Sequence, residues 1–396
     1  VFAMIGREPP LDFFRRSNVR ILGERTTTWW VTLILFLTFC VWMYHWKADA
    51  ALFGISGTTE TQSGQTQRWG LYLPQWLMWS PSETWAWILT ALPDSVAQYF
   101  HDSATLGGTI YQSMTSKSFY YSLAYSTAVV VFGIDRMRRK KTPYIRVQTS
   151  TLMAIQVIPL FLLPEIILPY LDANGWFAGG PMGWLADQFF PDGSYWRAYG
   201  LILAWPLMAW NWFTNDPIWA WLILGFVQTF IFIPGIIYFY GKGAYCGWIC
   251  SCGALAETLG DRHRHKMPHG PFWNRFNMVG QGILAFAIVI QILYIFRWMG
   301  FGWAIGATES LAKNVPLISW AWFVDLFWAG IIGVGMYFWF SGRVWCRFAC
   351  PLAALMHIYH RFSRFRILAE KKKCISCNVC TSVCHQGIDV MSFANK

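Results

Sequence analysis

Six stretches of this chain are apolar over a length that crosses a lipid bilayer or comes close to it: Thr28–Tyr44, Ser118–Ile134, Ser150–Leu171, Ile218–Tyr240, Phe276–Phe296 and Ala321–Phe340. About 20 apolar residues span the hydrocarbon core as a helix, and a lone run of that length satisfies its backbone polar groups there by coiling. A seventh run, Tyr199–Phe213, is too short and contains Pro206, so it reads as a re-entrant or interfacial segment. Composition agrees. Charged residues make up 13% of the chain, against about 25% in a soluble domain. The 26 Trp suit the headgroup layer. The expected fold is an all-α integral membrane protein with six transmembrane helices.

Charge sets the orientation, because Lys and Arg stay on the cytoplasmic side. With the N-terminus inside, the inner segments 1–27, 135–148, 241–275 and 341–396 hold 25 Lys and Arg, and the outer segments hold 6. That bias predicts an even number of spans and cytoplasmic termini. The net charge of +11 then reflects topology and anionic lipid, with no need for nucleic acid. The first 27 residues lack a continuous apolar core, so no cleavable signal peptide is visible. The chain begins at Val1, and a trimmed N-terminus is expected. The units read as an N-terminal segment 1–27, two spans within 28–148 around an outer segment 45–117, a four-span core 149–366, and a C-terminal segment 367–396. In the outer segment, "SETWAWILTALPDSVAQYF" predicts one or two amphipathic helices able to dock a partner on that side.

Two cysteine pairs repeat at an interval of 100 residues. "AYCGWICSCG" carries Cys246 and Cys250, and "VWCRFACPL" carries Cys346 and Cys350, each directly after an apolar run. On a continuous helix, positions four apart share a face. A hairpin of spans three and four thus ends in one pair, and a hairpin of spans five and six ends in the other. Two such hairpins packed about a pseudo-twofold axis would gather four thiols on the cytoplasmic face, as ligands of one shared iron–sulfur cluster or as two facing dithiol pairs. Lys242, Arg343 and Arg347 would favour thiolates.

The C-terminal run "CISCNVCTSVCHQGID" spaces Cys374, Cys377, Cys380 and Cys384 as C-x2-C-x2-C-x3-C. This is the bacterial pattern for [4Fe–4S] ligation, in which the fourth Cys ligates the other cluster of a pair. Zinc sites use two separated pairs, and disulfides do not suit a reducing compartment. His385 stands where Pro is usual. A second Cys-rich run would have to follow Lys396, so a C-terminal continuation is expected.

"CGWICSCGALAETLG" followed by "CRFACPLAALM" and the ferredoxin run resembles the NosR/NapH/CcoG-type polytopic membrane ferredoxins over about residues 218–396. Ser251 replaces the expected Pro of the first motif, Cys252 adds a thiol, and Pro351 keeps the pattern in the second. The resemblance implies a bacterial cytoplasmic-membrane protein with a short cytoplasmic ferredoxin-like segment. It also implies [4Fe–4S] clusters, a possible quinone, and redox partner proteins of the respiratory chain. Flavin would enter only with a further domain. The expected function is electron transfer between a quinone pool or cytoplasmic donor and a respiratory or cofactor-maturation acceptor, as an oxidoreductase component of the quinol dehydrogenase type. The alternative is a thiol or iron–sulfur protein that reduces or handles copper during oxidase or reductase assembly.

Weaker signals remain. Glu165 in "LLPEIILP" and Asp325 in "WFVDLFW" are ionisable residues within apolar runs, hence candidates for proton or quinone chemistry. The bland reading is a helix-end or interhelical hydrogen bond for Asp325 and, for Glu165, a partner for backbone gaps left by Pro164 and Pro169. His263, His265 and His269 in "DRHRHKMPHG" read as a solvated, lipid-facing basic loop. His357 and His360 could adjoin a cluster or headgroups. Cys40 reads as a small packing residue.

Overall fold

A computed structural model describes residues 11–17, 26–48, 56–60, 66–70, 72–314, 320–365, 370–384 and 386–391. The helices that position the site are, in order, α1 (Thr27–Ala48), α2 (Lys117–Arg139), α3 (Pro143–Ala173), α4 (Trp219–Tyr240), α5 (Gly243–Trp248), α6 (Ser251–Glu257), α7 (Pro271–Trp298), α8 (Trp320–Val334), α9 (Val344–Phe348) and α10 (Pro351–His360). Among the described residues, four of them, α1, α3, α4 and α7, are long and apolar enough to cross a membrane.

The other two expected spans are helical but fall short by composition or length. Helix α2 has 23 residues, but its first half carries Ser118, Tyr120, Tyr121, Ser122, Tyr125 and Ser126. Ser122 and Ser126 are buried, so this polar face looks into the protein. In the region of α8 the apolar helix found is the shorter stretch Phe327–Tyr337. The side chain of Asp325 lies outside the described residues.

Local chemistry explains the helix ends and their irregularities. Helix α2 starts where Ser116 caps Ser118 N and ends in Arg136, Arg138 and Arg139, cations that complement a helix C-terminus. Helix α3 starts where the Thr142 hydroxyl accepts from Ile145 N ahead of Pro143. It then widens into π-helix over Ile158–Ile167, a stretch holding Pro164, whose missing N–H breaks the regular ladder. Helix α4 widens likewise over Gln228–Phe232, just before Pro234.

The outer segment departs from an all-helical reading. Helices cover Pro81–Thr90, Asp94–His101 and Leu106–Met114, but strands β1 (Ser56–Glu60) and β2 (Thr66–Gly70) pair antiparallel with Ser56 opposite Gly70. Thr58, Thr59 and Thr66 suit a strand better than a helix.

The 199–213 run is not a spanning helix. A 3-10 segment, Tyr195–Leu201, is followed by irregular chain and a single helical turn, Ala209–Trp212, with Ile202, Ala204, Trp205, Met208 and Asn211 buried. Irregular backbone inside a protein needs bonding partners, and neighbouring side chains supply them. Gln228 Nε2 donates to Leu201 O (2.7 Å), Tyr245 Oη to Ile202 O (2.8 Å), and Trp205 N to Thr229 Oγ1 (3.1 Å). Trp205 thereby enters the main core, with Ile233 and Ile237 of α4, Ile283 and Ala287 of α7, and Leu352 and Met356 of α10.

Candidate functional site

The two cysteine pairs share one backbone course. Helix α5 ends at Trp248, Ile249 takes a non-helical φ of −123°, and Cys250 is extended (φ −62°, ψ 132°) at the N-cap of α6. Helix α9 ends at Phe348, Ala349 has φ −133°, and Cys350 is extended (φ −69°, ψ 114°) at the N-cap of α10. Cys250 N bonds Tyr245 O at 3.1 Å, and Cys350 N bonds Trp345 O at 2.9 Å. The pairs are therefore not on one helical face: the helix breaks between the first and second Cys of each. Pro351 drives the break in the second motif, because a residue before proline is pushed out of the helical region. Ser251 allows the same course in the first.

This course points the second thiol of each pair at amide N–H groups of the following helix. Ala353 N donates to Cys350 Sγ at 3.4 Å. The Cys252 thiol donates to Cys250 sulfur, and with the N–H groups of Gly253 and Cys252 it pulls Cys250 down to about 7 against its burial. Burial pushes the thiols of Cys246, Cys346 and Cys350 up, reinforced by the neighbouring cysteines. Cys246, Cys250 and Cys350 are 6–7% exposed and lie in one core cluster, with Cys252 and Cys346 packed against it. The thiols act electrostatically on one another across the pairs: Cys246 on Cys346, and Cys350 on Cys346, Cys250 and Cys246. Cys246, Cys250 and Cys350 thus share one core cluster, and Cys346 packs against it.

An ionic network that sequence reading missed lies beside them. Arg343 bonds Glu257 and acts electrostatically on the Cys346 thiol. Glu257 also bonds Arg136 Nη2 at 2.7 Å and pairs with Arg264. Asp261 pairs with Arg264 Nε (2.7 Å), Lys140 Nζ (2.8 Å) and Arg139 Nη2 (3.2 Å). Both carboxylates are buried. Burial raises Glu257, but the Arg343, Arg264 and Arg136 guanidiniums outweigh it and hold the group at about 2. Five cations thus face two carboxylates, an excess of positive charge next to the thiols. A signal was present: Glu257 and Asp261 are acidic residues four apart, just after the first Cys pair, in a chain with few charges.

The histidine stretch is only partly solvated: Arg262 and His265 are exposed. Asp261 and Met267 are buried, and His263 is half-buried. His263 is held at about 4, chiefly by burial and then by Lys266, His265 and Arg262. His269 Nε2 lies 3.0 Å from Cys384 O, and Arg347, next to Cys346 in the chain, acts on Cys384. The C-terminal run therefore docks beside the second Cys pair. Within it, Ser376 (φ 55°) and Asn378 (φ 59°) are left-handed and turn the loop back on itself. Cys374 and Cys384 are half-buried, and Cys377 and Cys380 are exposed. His385 lies outside the described residues. Among the described residues no three Cys, His, Asp or Glu side chains are gathered tightly enough for a single metal ion. The sulfurs around an iron–sulfur cube stand farther apart, roughly 6–7 Å. Four converging thiols, N–H donors to sulfur and local positive charge form a donor set that fits an anionic cluster.

Glu165 and the cysteine site are apart. Glu165 is 6% exposed in the π-helical part of α3, with Ser122 Oγ 3.4 Å from its Oε1. Cys40 is buried in α1, and His357 is exposed.

A family profile described as "4Fe-4S binding domain" matches twice, over residues 219–268 and 320–369. Each match takes in a membrane-side helix, a Cys pair and the helix after it. YccM of Escherichia coli (strain K12), named as an electron transport protein, is 26% identical over 155 residues, 38% of this chain and 43% of that protein. Regulatory protein NosR of Stutzerimonas stutzeri is 27% identical over 190 residues, 44% of this chain and 23% of NosR. Protein NirI of Paracoccus denitrificans (strain Pd 1222) is 25% identical over 195 residues, 45% of this chain and 25% of NirI. Over these residues the chain is similar to the NosR-type membrane ferredoxins. The matches span less than half the length of these three relatives. No solved structure matches this membrane ferredoxin.

Proposed function

We propose that this membrane ferredoxin carries electrons through an iron–sulfur centre held by Cys246, Cys250, Cys346 and Cys350, with a further [4Fe–4S] cluster on Cys374, Cys377 and Cys380. Cys384 reaches toward a partner cluster. The observation that carries the reading is the convergence of the two Cys pairs, each second thiol at a helix N-cap and the group flanked by Arg343. Such a cluster, when bound, takes up and releases single electrons. The chain's own residues exclude water from the thiols, donate N–H groups to sulfur, and offset negative charge through Arg343 and its partners. His269 and Arg347 hold the C-terminal run against the second pair, which gives the two centres a short route to each other.

In this reading the chain crosses the bacterial cytoplasmic membrane six times, with α2 and α8 as the two more polar or shorter spans and both termini cytoplasmic. Its two Cys hairpins are related by a pseudo-twofold axis. The donor is a quinone pool or a cytoplasmic reductant, and the acceptor is a respiratory or maturation protein. Asp325 stays a candidate for proton or quinone chemistry.

The test is iron and acid-labile sulfide in the purified full chain. The Cys346→Ser and Cys377→Ser variants should each lose a separate share of both, together with distinct paramagnetic signals on reduction. If Cys346→Ser keeps full iron and sulfide, the membrane-face centre is wrong. Copper bound in place of iron and sulfide would instead favour metal handling by these thiols.

A further inference from the structure

A column of buried polar side chains runs from Glu165 toward the cysteine site. Ser122 Oγ, on α2, is 3.4 Å from Glu165 Oε1. One turn on, Ser126 Oγ is buried without a partner. Tyr125 Oη lies 2.8 Å from Gln156 Oε1 and 3.0 Å from Ser251 O, and Gln156 Nε2 donates to Ile249 O at 2.8 Å. Those two carbonyls flank Cys250. Tyrosine hydroxyls line the same space. Tyr199 acts on Glu165 and feels Tyr121, Tyr121 Oη is 3.2 Å from Tyr44 Oη, and Tyr125 feels the charges of Cys252 and Cys250. The column ends at the Ile249 and Ser251 carbonyls. Val129, Leu152 and Ala254 are fully buried and form an apolar cluster against which Tyr125 packs.

Glu165 makes no ion pair among the described residues. A carboxyl group buried without a bonded cation is costly to hold as an anion. The titratable groups on elements packed against it are Tyr111 of the Leu106–Met114 helix; Lys117, Tyr120, Tyr121 and Tyr125 of α2; Tyr170 and Asp172 of α3; and Tyr195, Arg197 and Tyr199 of the 3-10 segment. Tyr199, and Lys47 from α1, act on the carboxylate.

We propose that Glu165 is a proton-exchanging group linked through this column to the cysteine site, so that charge added at the thiols is balanced by a proton taken up from the Glu165 side. Each electron arriving from a one-electron donor adds one negative charge at the site. One proton binds the Glu165 carboxylate, and both leave again on oxidation. The coupling rests on the electron-carrier reading, whereas proton binding at Glu165 does not.

Two measurements on the full chain in lipid vesicles test the proposal. Dicyclohexylcarbodiimide, which adds to a protonated carboxyl in an apolar setting, should mark Glu165 by peptide mass, with less adduct as pH rises. No adduct at Glu165 between pH 5 and 9 overturns the proposal. Redox titration with dithionite should give a midpoint potential that falls with rising pH in the wild type, a much flatter dependence in Glu165→Gln, and the same flattening in Tyr125→Phe and Gln156→Leu. A merely structural Glu165 predicts an unchanged slope in Glu165→Gln, since glutamine keeps the hydrogen bonds. That result, or a pH-independent wild type, sinks the coupling. Absence of iron altogether defeats the electron-carrier reading and leaves the carbodiimide result to judge Glu165 separately.

Discussion

Glu257 is the residue on which the cysteine site leans most. It holds Arg343 against Cys346 and also binds Arg136 and Arg264. Removing one partner of a buried ion pair leaves the others uncompensated, at a cost of about 3–5 kcal/mol. Glu257→Gln is expected to lower the thermal midpoint in detergent and to reduce iron retention, both readable on one preparation. Acid should do the same in two stages. His263 sits at about 4, below the ordinary 6.5, so the unfolded chain takes a proton that the folded chain refuses. Stability from this residue is present above about 6.5 and declines as pH falls toward 4. Glu257, at about 2 against 4.5, contributes fully above about 4.5 and loses its contribution as pH falls through 2. Thermal midpoints from pH 8 to 3 should show both stages, and His263→Gln should remove only the upper one.

At the scale of elements, the break between the two Cys of each pair is what aims the thiols. The turn that follows Cys250 is tight. A Cβ on Gly253 would lie 1.7 Å from the Cys246 carbonyl oxygen, so any side chain there drives α6 away from α5. Gly253→Ala should keep the helical circular dichroism but lose the iron assigned to the membrane-face centre, with the signal of the C-terminal cluster intact. Equal loss from both centres would point to general unfolding. Ser251→Pro should be tolerated, because Pro351 already occupies the matching position of the other motif with the same backbone course.

For the whole molecule, the two halves of the site come together where backbone meets backbone. Gly260 and Gly342 abut so closely that a Cβ on Gly260 would stand 2.5 Å from Gly342 Cα. Gly342→Val should separate Arg343 from Glu257 and act on both pairs at once. The orientation of the whole rests on the Lys and Arg bias. A reporter fused after Lys396 is expected to be active only in the cytoplasm, and one inserted within residues 172–217 only outside. Periplasmic activity of the C-terminal fusion would reverse the placement of every cysteine motif.

Long apolar runs, a lopsided Lys and Arg distribution and closely spaced cysteines are local or additive properties of a chain. For that reason the membrane class, the positions of the Cys pairs, the four-Cys run and the non-spanning character of residues 199–213 could be read from the chain alone. The rest depended on which distant surfaces touch. Helical spacing suggested that Cys246 and Cys250 share a face, but the chain breaks at Ile249, and tertiary packing puts Cys250 and Cys350, at the N-caps of α6 and α10, in one core cluster. Arg136, Glu257 and Arg343 are separated by more than 80 residues at each step, and a charge in sequence does not name its partner. The same holds for Ser122 with Glu165 and Tyr125 with Gln156. Each is an ordinary polar residue until two helices bury it against the other, because a helix face carries no record of the face it will meet.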